Sequence, residues 1–333
     1  MDHQMHSLSD VLELAEARLQ GAAHAPGRVW PTGFDPLDEN LMGGFRGGEL
    51  VLLAGPQGLG KTTLALQMGR NAVRRGRPVA YFCFEHEPQL LLERLVAMEA
   101  GEIAGYDAPD LRRIRNAFDA SDHRAGSIAE RLSDKSGAAE ALKRVQEYAD
   151  LYHLHQSSGR STTVDAIAQA AEAIRDEHGQ QPLIVVDYLQ KVSVPGTTLP
   201  DEERITHVVE GLKDLALDLD SPLLSIAAAD KAGIESGRRM RTSHLRGSSA
   251  LAYEADAVLI LNNKFDVVAR HHLVYDLGAA ERFKSWAVLS IEKNRNGIDK
   301  IDLEFRTRLD QSRFEEQGSV VVEQLIDERV FVE

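Results

Sequence analysis

The chain has 333 residues, of which 43% are hydrophobic and 27% charged, and its formal net charge is −14. This size and composition suit one large α/β domain or two small ones, and no apolar run approaches the ~20 residues of a membrane span. The acidic balance argues against coating nucleic acid with the whole surface, although a single basic loop stays compatible with it. Cys83 is the only cysteine, which excludes a disulfide framework and favours a reducing, cytoplasmic location.

Residues 1–30 are expected to form an extension ahead of a main domain that runs from residue 31 to residue 333. The spacing of Ser7 and Asp10 predicts a capping box at the start of a helix, and residues 21–27 have the composition of a linker. Five apolar residues fall on one face of this helix, namely Leu8, Val11, Leu12, Ala15 and Leu19. That stripe must be buried either on the chain's own domain or on a neighbouring subunit.

From Trp30 onward, apolar runs and helical periods alternate as in a doubly wound α/β domain. Buried strands are predicted over 50–54, 79–84, 151–155, 182–187, 223–229 and 257–261. Longer helices are predicted over 89–101, 164–177 and 203–219, with shorter helical pieces between 102 and 147. Strands over 286–292 and 301–305 are predicted to add a short antiparallel extension to a mostly parallel, twisted sheet flanked by helices. The expected fold class is therefore α/β.

The centre of this pattern is a P-loop, G-x-x-x-x-G-K-[ST], between the first buried strand and a helix. The glycines let backbone N–H groups curl around a phosphate. Lys61 brings positive charge to the β- and γ-phosphates, and the Thr62 hydroxyl completes a magnesium shell. The predicted nucleotide-binding residues are Gly55, Gly58, Gly60, Lys61, Thr62 and Thr63. The sequence thus predicts binding of ATP with Mg²⁺.

Two carboxylates are expected at strand ends near the P-loop, because ligands of parallel sheets lie beyond the carboxyl ends of the strands. Asp187 follows an apolar run and is predicted to complete the magnesium site together with Thr62. Glu85 follows another strand and could orient and deprotonate the attacking water. The alternative for Glu85 is an ordinary surface acid close to the start of a helix, like nearby Glu87.

Two groups of basic residues complete the candidates. The segment 231–246 carries five Lys or Arg residues against one acid, which indicates either a phosphate-binding loop or a solvated flexible loop. Lys293 and Arg295 share one face of a strand and could act as an arginine finger on a γ-phosphate, in cis or from a neighbour. The alternative is a pair of ordinary surface cations.

His153 and His155 share a strand face, but no third ligand for a metal site is evident.

With these landmarks, the chain resembles the motor domain of DnaB-type replicative helicases, a branch of the RecA-like ATPases. The resemblance covers about residues 31–316, and its most specific part is the ordered set DYLQ, LRGS and KNRNG. The matching strings are TGFDPLDENLMGGFRGGEL (32–50), GPQGLGKTT (55–63), FCFEHE (82–87), LIVVDYLQ (183–190), LRGSSALAYEADAVLIL (245–261) and IEKNRNG (291–297). The resemblance implies a RecA-like P-loop NTPase fold.

The resemblance also implies roles for these residues. Glu85 matches the family's catalytic glutamate and Asp187 its magnesium-binding aspartate. Lys293 and Arg295 match a finger that reaches the ATP of the adjacent subunit. The N-terminal helix matches a linker helix that packs on the next subunit of a homo-hexameric ring.

A DNA-binding surface is expected from the same two sources. The resemblance assigns Arg246, Gly247 and Ser248 to a central-channel loop that grips the backbone of single-stranded DNA. The basic segment adds three further candidates, Arg238, Arg239 and Arg241. The leading expectation is therefore a Mg²⁺- and ATP-dependent hexameric DNA motor with helicase activity.

Three departures from the family keep other functions open. About 30 residues precede the motor, so the primase-binding N-terminal domain is not expected. Residues 227–229 are alanines where the family has a glutamine that senses the γ-phosphate, and the first channel loop carries three consecutive acids at 201–203. These features favour a RecA-like regulatory or assembly ATPase acting on proteins, in the manner of KaiC-like ATPases. The KNR string is also similar to that of RadA-type recombination ATPases, which gives a third alternative.

Overall fold

The structure is a computed structural model that describes residues 5, 7–21, 27–121, 125–196, 199–230, 238–247, 249–274 and 277–328. The strands are β1 (Val29–Trp30), β2 (Phe45–Arg46), β3 (Leu50–Ala54), β4 (Val79–Cys83), β5 (Tyr152–Gln156), β6 (Leu183–Asp187), β7 (Leu223–Ala227), β8 (Ala257–Asn263), β9 (Trp286–Asn294), β10 (Ile301–Arg308) and β11 (Arg313–Val320). The α-helices are α1 (Leu8–Gly21), α2 (Asp35–Asn40), α3 (Lys61–Val73), α4 (Pro88–Ala104), α5 (Leu111–Phe118), α6 (Ile128–Leu132), α7 (Ala138–Tyr148), α8 (Val164–His178), α9 (Asp201–Leu219), α10 (Ala250–Glu254), α11 (Lys264–Val267), α12 (Arg270–Val274) and α13 (Leu277–Phe283).

Nine strands form one mixed sheet in the order β11-β10-β9-β8-β3-β7-β6-β4-β5. The six strands from β8 to β5 are parallel, whereas β9, β10 and β11 continue the sheet antiparallel beyond β8. The P-loop strand β3 lies in the interior of the sheet, between β7 and β8. The mostly parallel α/β sheet with an antiparallel C-terminal extension is confirmed.

Both faces of the central strands are buried, which explains why those strands are apolar throughout. Along β3, Val51 and Leu53 belong to the core shared with α3, α4 and α7. Leu50 and Leu52, which alternate with them, belong to a second core shared with α8, α9 and α10. The alternation follows from the two-residue period of a strand, and it places helices on both sides of the sheet.

Some element boundaries differ from the sequence-based expectation. The strand expected over 223–229 ends at Ala227, and the following residues pair instead with the loop at 244–246. The segment 264–283, which has no clear period, contains the three short helices α11 to α13. The sequence pattern does not predict strand β11, because only Phe314 of its eight residues is buried and the strand therefore lacks a regular alternation.

Helix α1 carries the predicted capping box, since the Ser7 N–H donates to Asp10 Oδ2 (2.8 Å) and the Asp10 N–H donates to Ser7 Oγ (3.1 Å). Its apolar stripe is not covered by the chain's own domain: Leu8 is 83% exposed, Leu12 64% and Leu19 76%. Within the described residues, no helix has the length and apolar character needed to span a membrane.

Candidate active site

The P-loop connects the end of β3 to the start of α3 with the backbone geometry that its glycines allow. Gly60 precedes α3 with a φ of +89°, a left-handed conformation that disfavours a side chain. A Cβ on Gly60 would also lie 2.7 Å from Leu309 Cδ2, and a Cβ on Gly55 would lie 2.4 Å from the carbonyl oxygen of Leu261. These two positions therefore require glycine, which keeps the loop backbone open towards a ligand.

Lys61 lies across this loop. Its ammonium group donates to the carbonyl oxygens of Gly55 (2.8 Å) and Pro56 (2.9 Å). Burial lowers the pKa of Lys61, and the negative charges of Asp187 and Glu85 oppose that shift. The structure thus brings the lysine and both predicted carboxylates into one electrostatic neighbourhood.

Asp187 ends strand β6 and is only 2% exposed. Its carboxylate accepts hydrogen bonds from the Thr62 hydroxyl and from the Tyr81 hydroxyl, the latter at 3.1 Å. Burial raises the pKa of Asp187, while these hydrogen bonds and Lys61 lower it. A hydroxyl and a carboxylate in direct contact are the oxygen donors that Mg²⁺ prefers in proteins, so this pair fits the predicted magnesium site.

Glu85 follows β4 and lines the same cleft as Lys61, Thr62 and Asp187. Strand β4 pairs in parallel with β6, with Cys83 opposite Asp187, so both acidic residues emerge at the carboxyl edge of the sheet. Glu87 does not line the cleft and instead precedes α4 as its N-cap residue. The geometry therefore favours Glu85 over Glu87. The cleft has a volume of about 560 Å³.

Arg94 is a cation of the cleft that no motif in the sequence indicates. It lies on α4 and donates from Nη1 to the Thr63 hydroxyl at 3.3 Å. Burial lowers the pKa of Arg94, and the positive charge of Arg115 lowers it further. Arg94 comes on the helix that directly follows Glu85, but only the packing of α4 against α3 shows that it reaches the P-loop.

The alanines at the end of β7 form part of the cleft wall and are bonded to the loop before α10. Gln190 makes this connection: its Oε1 accepts the Ala228 N–H (3.0 Å), and its Nε2 donates to the carbonyl oxygen of Arg246 (3.1 Å). The Arg246 N–H in turn donates to the Ala228 carbonyl oxygen at 2.9 Å. Arg246 itself lines the cleft, so the cleft wall and this loop are joined through three hydrogen bonds.

Two of the predicted DNA-binding arginines are instead used inside the chain. Arg239 is 4% exposed and is bound to Ser290 Oγ (3.0 Å) and to the carboxylate of Asp302. Arg241 pairs with Glu292 (2.7 Å) and Asp327 (2.6 Å). Both guanidinium groups are held by the chain's own side chains, so a DNA phosphate would have to compete with these ion pairs, and the DNA contact of Arg239 and Arg241 stays a prediction.

The remaining members of that group have different environments. The Arg246 side chain is 60% exposed and lies 3.7 Å from the carboxylate of Asp201. Gly247 has a φ of +120°, and a Cβ there would lie 2.5 Å from Ile205 Cδ1, so the loop packs closely on α9. The backbone of Arg238 bridges to Glu328. Ser248 lies outside the described residues, as does Lys231 in the same basic segment.

Lys293 and Arg295 lie near the amino ends of the parallel strands, whereas the nucleotide cleft lies at the carboxyl ends. Strand β9 runs antiparallel to β8 and places Lys293 beside Val258, near the amino ends of the parallel strands. The Arg295 guanidinium is 3.2 Å from Asp256, whose other carboxylate oxygen accepts the Leu50 N–H at the start of β3. The P-loop follows the other end of β3, roughly 13 Å away at about 3.3 Å per residue.

The two cations are anchored at this edge. Lys293 donates to three carbonyl oxygens at the C-terminal end of α10, at distances of 2.8 Å, 2.9 Å and 2.5 Å. These oxygens belong to Ala252, Tyr253 and Ala255. A cation at a helix C-terminus is favourable because free carbonyls and the helix dipole concentrate negative charge there. The structure therefore does not bring Lys293 and Arg295 into the chain's own cleft.

Comparison with known proteins identifies the family. Residues 30–316 match the family model described as "DnaB-like helicase C terminal domain". The chain belongs to this family. Among curated relatives, the "Replicative DNA helicase DnaB" of Treponema pallidum (strain Nichols) is 27% identical over 304 residues, which cover 90% of this chain and 58% of that protein. The protein of the same name from Pasteurella multocida (strain Pm70) is 28% identical over 289 residues, 85% of this chain and 54% of that protein. The chain spans slightly more than half the length of these relatives.

Solved structures support the fold. A solved structure described as an ATPase domain matches with a TM-score of 0.72 and 19% identity, covering 93% of this chain and 99% of that one. "The Structure Of A DnaB-Like Replicative Helicase And Its Interactions With Primase" matches with a TM-score of 0.68 and 18% identity, covering 93% of this chain and 67% of that one. The RecA-like helicase ATPase fold expected from the motifs is thereby confirmed.

Proposed function

We propose that this chain is the ATP-hydrolysing motor of a hexameric DNA helicase or translocase that works on single-stranded DNA. The observation that carries this proposal is the convergence of Lys61, Thr62, Asp187 and Glu85 on one cleft at the carboxyl edge of a parallel sheet. A buried cation beside two carboxylates and a P-loop is the set of groups that phosphoryl transfer from ATP requires.

Each group in the cleft has a distinct task. Lys61 exchanges its contacts to the loop carbonyls for the β- and γ-phosphates, where it offsets negative charge. Thr62 and Asp187 would hold Mg²⁺, which would supply positive charge to offset the negative charge of the transferred phosphoryl group. Glu85 orients the attacking water and accepts its proton. Arg94, bonded to Thr63, holds the first turn of α3 in place from the side of α4.

The cleft needs a second chain to complete it. Lys293 and Arg295 face away from the cleft of their own chain, so they reach an ATP only in a neighbour whose cleft abuts this edge. Such a head-to-tail contact uses two different surfaces and closes into a ring when the rotation between subunits is suitable. The exposed apolar stripe of α1 gives the same chain a second surface that a neighbouring subunit would cover.

The proposed DNA contact is the loop of Arg246 and Gly247, together with Ser248, which follows it in the sequence. Arg246 offers an exposed guanidinium for a phosphate. Its backbone is bonded to Ala228 and, through Gln190, to the cleft wall. A change in the cleft upon ATP binding or hydrolysis therefore has a short hydrogen-bonded route to the loop.

A second candidate function is a RecA-like ATPase that remodels or regulates a protein assembly. The observation that favours it is local charge: the acid-rich start of α9, at 201–203, faces the same loop, and Asp201 lies 3.7 Å from Arg246. Negative charge beside the proposed DNA loop weakens attraction to phosphates.

Steady-state ATP hydrolysis with Mg²⁺, measured with and without single-stranded DNA, separates the two functions. The motor function predicts a rate that rises with DNA, followed by unwinding of a forked duplex by the same preparation. A rate that is indifferent to DNA supports the protein-directed ATPase instead. The Lys61→Ala variant serves as the blank, because hydrolysis that survives this change would not come from the proposed site.

A further inference from the structure

The outer edge of the sheet, far from the nucleotide cleft, holds a cluster of metal-binding side chains. His153 lies on the edge strand β5, and His178 is the last residue of α8. Their Nε2 atoms face each other at 2.9 Å. The carboxylate of Glu177 joins them, and the donor atoms of the three residues all lie within 4.8 Å of one another.

The fold, rather than the local sequence, creates this cluster. The two histidines are 25 residues apart in the sequence, and they meet because the last residue of α8 lies beside β5. Gly179 ends the helix in a left-handed conformation with a φ of +67°, which fixes the position of the last turn. Strand β5 is four positions from the P-loop strand β3, and none of the three side chains lines the nucleotide cleft.

A hydrogen bond between the two imidazoles accounts for only part of this arrangement. One ring would donate and the other accept, which explains the 2.9 Å separation but gives Glu177 no role. A tetrahedral ion bound by both nitrogens at about 2.0–2.1 Å would hold them about 3.4 Å apart, so the rings need to separate by only about half an ångström. Small side-chain rotations at a half-buried edge supply that movement.

We propose that His153, His178 and Glu177 form a binding site for a divalent transition-metal ion of the zinc class. Two imidazole nitrogens and one carboxylate oxygen are an established donor set for Zn²⁺, with water in the fourth position. Mg²⁺ is disfavoured because it prefers oxygen ligands throughout.

The bound ion ties the edge strand to the end of α8. An ion that binds the folded chain and not the unfolded chain stabilises the fold by mass action. The site is independent of ATP hydrolysis, since it shares no residue with the nucleotide cleft. Its test is therefore separate from that of the proposed function.

The experiment is a calorimetric titration of the full chain with Zn²⁺ alone, in a non-chelating buffer with excess Mg²⁺. We expect one Zn²⁺ per chain and a higher melting temperature in its presence. His153→Ala and His178→Gln should each weaken the affinity by at least roughly tenfold, because losing even an outer-shell partner of a metal ligand costs that much. Co²⁺ should give the visible absorption of a tetrahedral site, and both variants should lose it.

His155→Ala is the matched control, since His155 lies on the same strand but contacts Ser157 and the Phe82 ring instead. It should bind Zn²⁺ like the unmodified chain. Metal-free melting curves of all variants show whether they fold, and the position of His178 at the very end of α8 makes His178→Gln the milder change. The proposal is overturned if the unmodified chain shows no saturable Zn²⁺ binding, or if folded His153→Ala and His178→Gln variants bind with unchanged affinity.

Discussion

The carboxyl ends and the amino ends of the parallel strands, called here the carboxyl edge and the amino edge of the sheet, differ in how they hold their charged groups. At the carboxyl edge, Lys61, Asp187 and Glu85 surround an open cleft and act on one another across it. At the amino ends of the parallel strands, Lys293 is bound to helix carbonyls and Arg295 to Asp256, and neither residue lines the chain's own cleft. This difference agrees with the proposal of an active site shared between two chains, because the two sets of groups do not meet within one chain.

The largest expected effect comes from the carboxyl edge. Lys61→Ala removes the cation that faces the phosphates, and we expect ATP turnover to fall by at least about a thousandfold. Phosphate release measured with Mg²⁺ checks this. Lys143→Ala changes an exposed lysine on α7 and should leave turnover intact. Near-normal ATP turnover in Lys61→Ala would show that the P-loop is not the site of hydrolysis.

A change at the amino edge should lower ATP hydrolysis without weakening nucleotide binding. Arg295→Ala is expected to lower turnover by about 10³-fold, the lower end of what an arginine finger contributes. Binding of a fluorescent ATP analogue should stay within a few-fold of normal, because Arg295 does not line its own cleft. Arg112→Ala, at an exposed position of α5, is the control. Full turnover in Arg295→Ala would show that this edge takes no part in the reaction.

A smaller effect is expected where the carboxyl edge is joined to the proposed DNA loop. Gln190→Ala removes both side-chain hydrogen bonds between Ala228 and Arg246. Stimulation of turnover by single-stranded DNA should fall by about two- to thirtyfold, the range of a coupling energy of 0.5–2 kcal/mol. The basal rate should change little. Gln180→Ala, whose side chain bonds only to the Gly76 carbonyl near the other end of the sheet, should keep full stimulation. A loss of basal and stimulated rates in equal proportion would contradict the coupling role.

The smallest effect on the single chain is expected at α1. Leu12→Ser changes a side chain that is 64% exposed, so the free energy of unfolding should shift by no more than about 0.5 kcal/mol. Ring assembly, followed by sedimentation velocity, should weaken because the stripe loses a contact with its neighbour. If ring assembly and the melting temperature were both unchanged in Leu12→Ser, the α1 stripe would not be a contact between subunits.

Much of the carboxyl edge was predictable from sequence, because its residues follow apolar strands. A run such as 183–187 predicts both a buried parallel strand and the place where Asp187 emerges. Gln190 and Arg94 were not identified in this way, since their roles depend on partners from other elements, Ala228 and Thr63. Local sequence does not contain those contacts.

The basic segment shows what local charge patterning leaves out. Arg239 and Arg241 are DNA-binding candidates because acids are scarce near them in the sequence. In the fold, Asp302 and Asp327 reach them from more than 60 residues further along. Charge patterning along a chain counts only local partners. The histidine cluster is likewise not visible in the local sequence, because His178 is 25 residues away from His153 and the two meet only in the fold.

The central claim, that the active site is shared between two chains, is tested most directly by mixing two inactive variants. Glu85→Gln keeps an intact finger and Arg295→Ala keeps an intact cleft, so each alone should show only background ATP turnover. When equal amounts are dissociated from their rings and reassembled together, roughly a quarter of the interfaces pair an intact cleft with an intact finger. We expect ATP turnover to recover to about that fraction of the unmodified rate. Turnover that stays at background in mixed rings of verified composition would contradict a shared site.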